Sequence, residues 1–255
     1  MRVTILGCGS SGGVPRIGND WGDCDPTNPK NRRRRCSILI EQEDTVLLVD
    51  TAPDMREQLL DANVQRMDAV FFTHAHADQA HGVDDLRVFY IRDRGRLLPI
   101  YGDDETIYTL KRRFDYCFTQ VAGYPPILEA NVLGGPVTVG PITMEPFTVE
   151  HGPIQALGYR IGRVGYVPDV NELPEAAMEM LSGLDVLILD ALRRRPHPSH
   201  AHLDRTLDWM TALKPKRGIL TNMHIDLDYD TLVRELPDGI EPAYDGMVVD
   251  LGQDG

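Results

Sequence analysis

The chain has 255 residues, of which 42% are hydrophobic and 25% are charged, which is the size and composition of one globular domain with a full core. Its formal net charge of −13 argues against general nucleic-acid binding, because such proteins need a basic surface. The four cysteines contain no C-x-x-C pair, which argues against a disulfide framework and a zinc knuckle. Without a signal-peptide core or an apolar run of about 18 residues, the sequence predicts a cytoplasmic protein with no membrane span.

The first 35 residues predict a strand, a glycine-rich turn and a long loop. Residues 1–6 have the apolar pattern of a strand, and the turn at residues 10–13 exposes backbone N–H groups that suit a phosphate, although a plain tight turn has the same composition. Residues 13–35 are polar, rich in Pro and Gly and without periodicity, which predicts an ordered loop over a site or a flexible flap. The arginine runs at 32–35 and 193–195 suit phosphate oxygens, or a solvated face.

Six apolar segments farther along the chain are each followed at their carboxyl end by Asp, His or Asn. These polar residues are Asp50, His74 with His76, His151, Asp169, Asp190, and Asn222 with His224. One such residue is typical of a turn cap, but six together indicate a site, because sites in α/β proteins gather beyond the carboxyl ends of strands. Helical patterns over 54–62, 174–181, 203–213 and 230–236 lie between the strands. The sequence therefore predicts an α/β fold with a single domain over residues 1–255.

The most informative stretch, residues 73–82, contains three histidines and an aspartate. It follows the apolar residues 69–72, which predict a buried parallel strand. His74, His76 and Asp78 are two residues apart, so their side chains point the same way in an extended conformation. Imidazoles and a carboxylate on one side of a strand end suit a divalent metal such as zinc. The alternative is a solvated His-rich loop, which rarely follows a buried strand so abruptly.

These residues resemble the metallo-β-lactamase-fold hydrolases, whose hallmark is H-x-H-x-D-H after a strand. The shared set is Asp50, then His74-Ala-His76-Ala-Asp78, then His151, Asp169 and a histidine near the carboxyl end. More narrowly, the glycine-rich residues 6–15, Arg35-Cys36-Ser37, Ser199-His200 and residues 244–247 are similar to the PhnP-type phosphodiesterases and their relative ribonuclease Z. The resemblance covers essentially the whole chain, and it implies a four-layer αββα sandwich with a two-metal site.

The chain departs from the family pattern at the second metal. Gln79 stands where the pattern has its last histidine, and His81, two residues on, is a candidate replacement. Asn222 aligns with the family's histidine near the carboxyl end, and His224 follows two residues later. An amide oxygen is a weaker and harder ligand than imidazole, so we expect the second metal to be weaker or held differently. Only Cys24 remains of the family's N-terminal cysteine cluster, which indicates that the structural zinc of these relatives is absent here.

The resemblance assigns a role to each candidate residue around two divalent ions, zinc or manganese. The first ion is assigned to His74, His76 and His151, the bridging position to Asp169, and the second ion to Asp78 and His224. Asp50 is assigned to orient a ligand imidazole through its free N–H group, with a turn cap as the alternative. Asp78 and His200 are the expected catalytic residues. A histidine suits protonation of the leaving alkoxide because its pKa lies near the working pH.

The leading hypothesis is a phosphodiesterase that cleaves a small cyclic or nucleotide-like phosphodiester by attack of a metal-bound hydroxide. A thioesterase or lactonase on the same fold is the second hypothesis, and the arginine runs favour phosphate over it. A tRNA-processing nuclease conflicts with the acidic charge and the lack of a long basic arm. The non-enzyme hypothesis is a degenerate homologue that binds a nucleotide without turnover, which Gln79 and Asn222 support. The sequence leaves the substrate, the native metal and the oligomeric state open, with a homodimer among the arrangements.

Overall fold

A computed structural model describes residues 1–252 and shows two seven-stranded β-sheets that share one core. The strands of the first sheet are β1 (Arg2–Gly7), β2 (Ser37–Gln42), β3 (Thr45–Val49), β4 (Ala69–Phe71), β5 (Leu98–Gly102), β6 (Leu128–Val132) and β14 (Met247–Asp250). The strands of the second sheet are β7 (Val137–Val139), β8 (Ile142–His151), β9 (Ile154–Ile161), β10 (Val164–Val167), β11 (Val186–Asp190), β12 (Arg217–Thr221) and β13 (Ile240–Pro242).

Each sheet combines parallel and antiparallel strand pairs. The first sheet has the order β14-β1-β2-β3-β4-β5-β6 and is parallel from β3 to β6. The second has the order β13-β12-β11-β10-β9-β8-β7 and is parallel from β10 to β13. Since parallel strands end on the same side of a sheet, the polar residues that follow β3, β4, β10, β11 and β12 are collected at one edge of each sheet.

Strands β1 to β4 of the first sheet are largely buried on both faces, which explains why they are mostly apolar instead of alternating. Ile38, Leu47 and Phe71 belong to the core cluster that includes residues of the second sheet. Leu39 follows Ile38 and Leu48 follows Leu47, but these two leucines belong to a separate cluster that includes helix residues. Successive side chains of a strand point to opposite faces, so the two clusters are the two sides of this sheet.

Helices cover the outer faces of both sheets within residues 1–252. The helices that pack on the first sheet are α1 (Met55–Asp61), α2 (Ala77–Ala80), α3 (Arg87–Arg92), α4 (Asp104–Arg113) and α5 (Asp115–Phe118). Those that pack on the second are α6 (Glu175–Met180), α7 (Leu203–Leu213) and α8 (Tyr229–Glu235). The layers follow the order αββα in a single domain, which confirms the predicted fold class. None of these helices is long and apolar enough to cross a membrane.

The four predicted helices correspond to α1, α6, α7 and α8, but α2 to α5 were not predicted. The clearest missed signal belongs to α4. Asp103 precedes this helix, and its carboxylate accepts a hydrogen bond of 2.8 Å from the backbone amide of Thr106. An acidic N-cap with Asp and Glu in the first turn is a typical helix start.

The polar segment 13–35 is an ordered loop with a short 3₁₀ helix at Pro29–Asn31. Asn31 donates a hydrogen bond of 2.7 Å to Asp228, the residue before α8. It also accepts one of 2.8 Å from the backbone amide of Tyr229, the first residue of α8. Arg33 is only 2% exposed. Its guanidinium lies 3.5 Å from the backbone oxygen of His224. The loop is thus fastened to the segment that leads from β12 to α8.

Candidate metal centre and adjoining cavity

Three histidine side chains meet where the two sheets approach each other, and we call them the three-histidine cluster: His74, His76 and His151. His74 and His76 follow β4, whereas His151 is the last residue of β8. Nε2 of His74 lies 2.9 Å from Nδ1 of His76, which lies 3.3 Å from Nε2 of His151. The ligand nitrogens of this group all lie within 4.8 Å of one another. Three imidazoles converging at this distance fit a divalent transition metal.

Hydrogen bonds on the outer ring nitrogens fix which nitrogen of His74 and His151 faces the cluster. The hydroxyl of Thr73 donates to Asp50 at 2.8 Å, so its oxygen can accept from Nδ1 of His74, 3.1 Å away. Nδ1 of His151 donates to the backbone oxygen of Ser199 at 2.7 Å. With a proton on each outer nitrogen, both rings present the Nε2 lone pair inward, which is the tautomer that a metal requires.

The three imidazoles are held in the neutral form. Burial lowers the pKa of His74 well below its usual range, and the nearby His151 lowers it further. Burial also lowers the pKa of His76, which Asp78 opposes in part. For His151, burial and the charge of His200 lower the pKa to about 4. Because only neutral imidazole binds a metal ion, the cluster needs no deprotonation at neutral pH.

Two buried carboxylates lie beside the cluster and bind side-chain amides. Asp169 follows β10 and accepts a hydrogen bond of 2.9 Å from Nε2 of Gln79. Asp190 ends β11 and accepts one of 3.1 Å from Nδ2 of Asn222, which follows β12. Asp169, His151 and His200 also offer ligand atoms within 4.8 Å of one another.

His200 lies between these two carboxylates. Its Nδ1 is 2.9 Å from an oxygen of Asp190 and 3.6 Å from an oxygen of Asp169. Burial lowers the pKa of His200, but the two carboxylates raise it more, to about 9. His200 therefore carries a proton at neutral pH, although its ring centroid lies only 4.6 Å from that of the neutral His151.

Asp78 and His224, predicted to hold a second metal, line a cavity of about 270 Å³ together with His200. Nδ1 of His224 lies 3.1 Å from an oxygen of Asp226. Within residues 1–252, neither Asp78 nor His224 belongs to a group of three donors within 4.8 Å. The structure thus brings the predicted first-metal residues together, and it places the predicted second-metal residues at the cavity wall.

Within residues 1–252, His81, the candidate replacement for the missing family histidine, belongs to neither group of close donors. Its side chain is exposed, and its ring packs edge-on against Phe114 at a centroid distance of 5.8 Å. Gln79 turns inward instead and reaches Asp169.

The cavity beside His200 has mostly polar walls. Further lining residues are Ser10, Ser11, Gly12, Arg16, Leu192, Arg193, His197 and Asn222. Arg193 donates to the backbone oxygens of Arg195 and Pro196, at 3.0 and 2.7 Å. These neutral acceptors hold the guanidinium in place without cancelling its charge. A fixed cation near a protonated histidine suits an anionic group such as phosphate.

The arginine run 32–35 mostly holds the long loop. Arg33 is buried, Arg34 pairs with Asp61 at 2.8 Å and with Asp245 at 3.1 Å, and Arg35 pairs with Asp54 at 3.0 Å. These contacts give the run a structural role, and the arginines at the cavity are Arg16 and, from the second run, Arg193.

Sequence reasoning missed two features of the centre. One is the contact between Thr73 and Nδ1 of His74. The available signal was the hydroxyl residue directly before the first histidine. The other is the pairing of His200 with Asp190. Asp190 was identified as a strand-end residue, but its partner lies in an irregular segment that has no pattern to fix its direction.

Fold and site together define the class of protein. Residues 45–225 match the family model described as "Beta-lactamase superfamily domain", and the chain belongs to this family. It is a hydrolase of the metallo-β-lactamase fold with a candidate divalent-metal site. Within that class it is PhnP-like. A crystal structure described as a new diphosphatase from the PhnP family has a TM-score of 0.91 and 36% identity, over 98% of this chain and 97% of that chain.

Two further similarities are informative. The octanoyltransferase of Porphyromonas gingivalis (strain ATCC BAA-308 / W83) is 30% identical over 262 residues, which cover 100% of this chain and 52% of that protein. The chain therefore spans about half the length of this curated relative. Zn²⁺-bound PqqB from Methylobacterium extorquens has a TM-score of 0.75 over 98% of this chain and 100% of that chain. At 17% identity, that likeness shows the fold alone.

Proposed function

We propose that this chain is a metal-dependent phosphodiesterase that cleaves a small cyclic or nucleotide-like phosphodiester. The observation that carries the proposal is that His200 and Arg193 line one polar cavity, while His200 packs against His151 of the three-histidine cluster. A phosphodiester is an anion, and its cleavage develops further negative charge on the leaving oxygen. Two positioned cationic side chains beside a metal centre serve both needs.

The three-histidine cluster would hold the first divalent ion, zinc or manganese. One oxygen of Asp169 lies in the neighbouring donor group, which Asp169 forms with His151 and His200. When bound, such an ion supplies Lewis acidity at the phosphoryl group and a nucleophile from water at neutral pH. A second ion at Asp78 and His224 stays a prediction of the sequence.

His200 acts on the leaving oxygen. Its Nδ1 pairs with Asp190, so Nε2 is the nitrogen that donates a proton to the departing alkoxide. Asp190 keeps the ring oriented and protonated until that transfer. General acid catalysis of this kind contributes about 10²–10⁴-fold to a rate.

The substrate class follows from the size and polarity of the cavity. A volume of about 270 Å³ with serine, arginine and histidine walls favours a small anionic ester over an apolar one. The net charge of −13 disfavours a nucleic-acid polymer. Because the similar PhnP-family protein is a diphosphatase, esters of diphosphate belong in the substrate panel.

The test is hydrolysis of bis-p-nitrophenyl phosphate, 2′,3′-cyclic nucleotides and dinucleoside diphosphates with added Mn²⁺ or Zn²⁺. We expect turnover that EDTA abolishes and added metal restores. Replacement His200→Gln should lower it about 10²–10⁴-fold, whereas His202→Gln, at the start of α7, should not. If no phosphodiester is turned over with either metal, the proposal is rejected.

A hydrolase of acyl thioesters is the second candidate, and the similarity to an octanoyltransferase favours it. An acyl chain needs an apolar site beside the reacting group. An apolar cleft of about 470 Å³ contains Tyr90, Tyr116 and Tyr124, but it shares no lining residue with the His200 cavity. The polar cavity therefore favours the phosphodiester.

Arg193 separates the two candidates. Replacement Arg193→Ala should raise KM for a phosphodiester about tenfold and leave that for octanoyl thioesters unchanged, because only the first is an anion at the cleaved group. Arg195→Ala, an exposed change in the same run, is the matched control. Higher kcat/KM for the thioester than for every phosphodiester would reverse the preference.

A further inference from the structure

The two carboxylates beside the three-histidine cluster are engaged by N–H groups from the interior. Nε2 of Gln79 donates to Oδ2 of Asp169 at 2.9 Å, and Nδ2 of Asn222 donates to Oδ1 of Asp190 at 3.1 Å. Gln79 is 0% exposed and Asn222 is 1% exposed, so bulk water does not compete for these bonds. For Gln79 the opposite orientation would set its oxygen against a carboxylate oxygen, so repulsion selects the donating orientation. Nδ2 of Asn222 also lies 3.1 Å from Nδ1 of His200.

The remaining oxygen of each carboxylate faces one imidazole ring. Nδ1 of His200 lies 2.9 Å from Oδ2 of Asp190 and 3.6 Å from Oδ1 of Asp169. A divalent ion needs oxygen ligands at about 2.0–2.2 Å. The N–H group of His200 therefore occupies Oδ2 of Asp190, whereas its separation of 3.6 Å from Oδ1 of Asp169 is too long for a hydrogen bond.

The three-histidine cluster has the opposite arrangement. There the outer nitrogens of His74 and His151 bond to Thr73 and Ser199, and the lone pairs point inward. One position of the centre is therefore lined by lone pairs, as a cation requires. At the neighbouring position, N–H groups of Gln79, Asn222 and His200 bond to the two carboxylates, while Oε1 of Gln79 has no hydrogen-bond partner among the described residues.

We propose that this chain binds one divalent ion per molecule, at the three-histidine cluster. Side-chain N–H groups of Gln79, Asn222 and His200 take the place of a second ion by donating hydrogen bonds to the two carboxylates. The inference rests on the proposed metal-dependent function for the first ion, and it departs from the two ions that the sequence predicts.

Metal content of the full chain tests the proposal directly. The protein is stripped with EDTA, reloaded with excess Mn²⁺ or Zn²⁺ and passed through a gel-filtration column before elemental analysis. We expect about one ion per chain, and for Mn²⁺ the electron paramagnetic resonance spectrum of an isolated ion. Two ions per chain with an exchange-coupled Mn²⁺ spectrum would overturn the proposal, and so would retention of no ion.

A double variant tests the residues themselves. Gln79→His with Asn222→His replaces two amide donors by imidazoles that offer lone pairs, so we expect about two ions per chain and a coupled Mn²⁺ spectrum. Gln120→His adds a histidine at an exposed position and should stay at one. A folded double variant that still binds one ion shows that these amides do not exclude the second ion, and it overturns the assignment. If the double variant does not fold, Gln79→His alone is measured in the same way.

The count of ions is independent of the reaction. One ion per chain with no turnover of any phosphodiester would reject the proposed function and leave this inference standing. Two ions per chain with phosphodiester turnover would support the proposed function and reject this inference.

Discussion

The carboxylate of Asp50 accepts two hydrogen bonds from Thr73, one from the backbone amide and one from the hydroxyl, each 2.8 Å long. Asp50 is buried at the end of β3 and Thr73 follows β4, so these bonds join neighbouring strand ends. Burial raises the pKa of Asp50 well above its usual range, although both bonds from Thr73 oppose the shift. The Thr73 hydroxyl lies 3.1 Å from Nδ1 of His74. Asp50 therefore orients an imidazole through Thr73, where the sequence predicted a direct contact.

Thr73→Val removes the hydroxyl and keeps the shape of the side chain. Without the hydroxyl, Nδ1 of His74 loses the acceptor that holds the ring and its tautomer. We expect the affinity for Zn²⁺ or Mn²⁺ to fall about 10–100-fold, the range typical for loss of a hydrogen-bond partner of a metal-binding histidine. Isothermal titration calorimetry on EDTA-treated protein measures the change.

Thr73→Ser is the matched control, because serine keeps the hydroxyl and loses only a methyl group. Its metal affinity should stay near that of the unsubstituted protein. Equal affinities for the Val and Ser variants would contradict the role of the hydroxyl.

The strand-end pattern predicted that polar residues gather at one edge of the sheets, because parallel strands within a sheet end on one side. Asp169 and Asn222 follow β10 and β12, and Asp190 ends β11 between them, so their proximity follows from the strand order. The hydrogen-bond partner of Gln79 could not be predicted from the sequence, because Asp169 lies 90 positions away and follows a strand of the other sheet. The burial of Arg33 could not either, since an arginine run gives no indication of which side chain turns inward.

His200→Gln should remove a pH-dependent step. The protonated form of His200 is the active acid, so kcat falls as the pH rises through its pKa. That pKa is about 9, and a cation bound at the neighbouring cluster would lower it, so the falling limb should appear at or below pH 9. In His200→Gln we expect kcat to be about 10²–10⁴-fold lower and the limb to be absent from the pH–kcat profile.

Asp190→Asn tests the cause of this limb. Removing the carboxylate charge at 2.9 Å lowers the pKa of His200, so the limb should move to lower pH while the imidazole remains. A limb that stays in place in Asp190→Asn, or that persists in His200→Gln, would assign the titration to another group.

Within the arginine run 32–35, replacement of Arg33 should lower the stability of the protein, whereas replacement of Arg32 should not. Arg33 is 2% exposed and bonds to Asn31 at 3.3 Å, whereas Arg32 is exposed over the ring of Trp21. Arg33→Met leaves buried acceptors without a donor, and we expect the free energy of unfolding to fall by about 2–3 kcal/mol. Arg32→Ala should change it by less than about 0.5 kcal/mol. Urea unfolding measures both, and equal losses would show that Arg33 has no special structural role.

The low pKa of His151 should make the EDTA-treated protein sensitive to acid. Its pKa is about 4 in the folded protein, against 6.5 for histidine in an unfolded chain. Between these values the unfolded chain binds the proton and the folded protein does not, so the free energy of unfolding falls as the pH is lowered from 6.5 towards 4. The contribution of His151 over this window is on the order of 3 kcal/mol, and His151→Gln should remove it and flatten the dependence. Urea unfolding at half-unit pH steps gives the slopes, with His202→Gln as the control that should keep the original slope; equal slopes for the two variants would refute the assignment to His151.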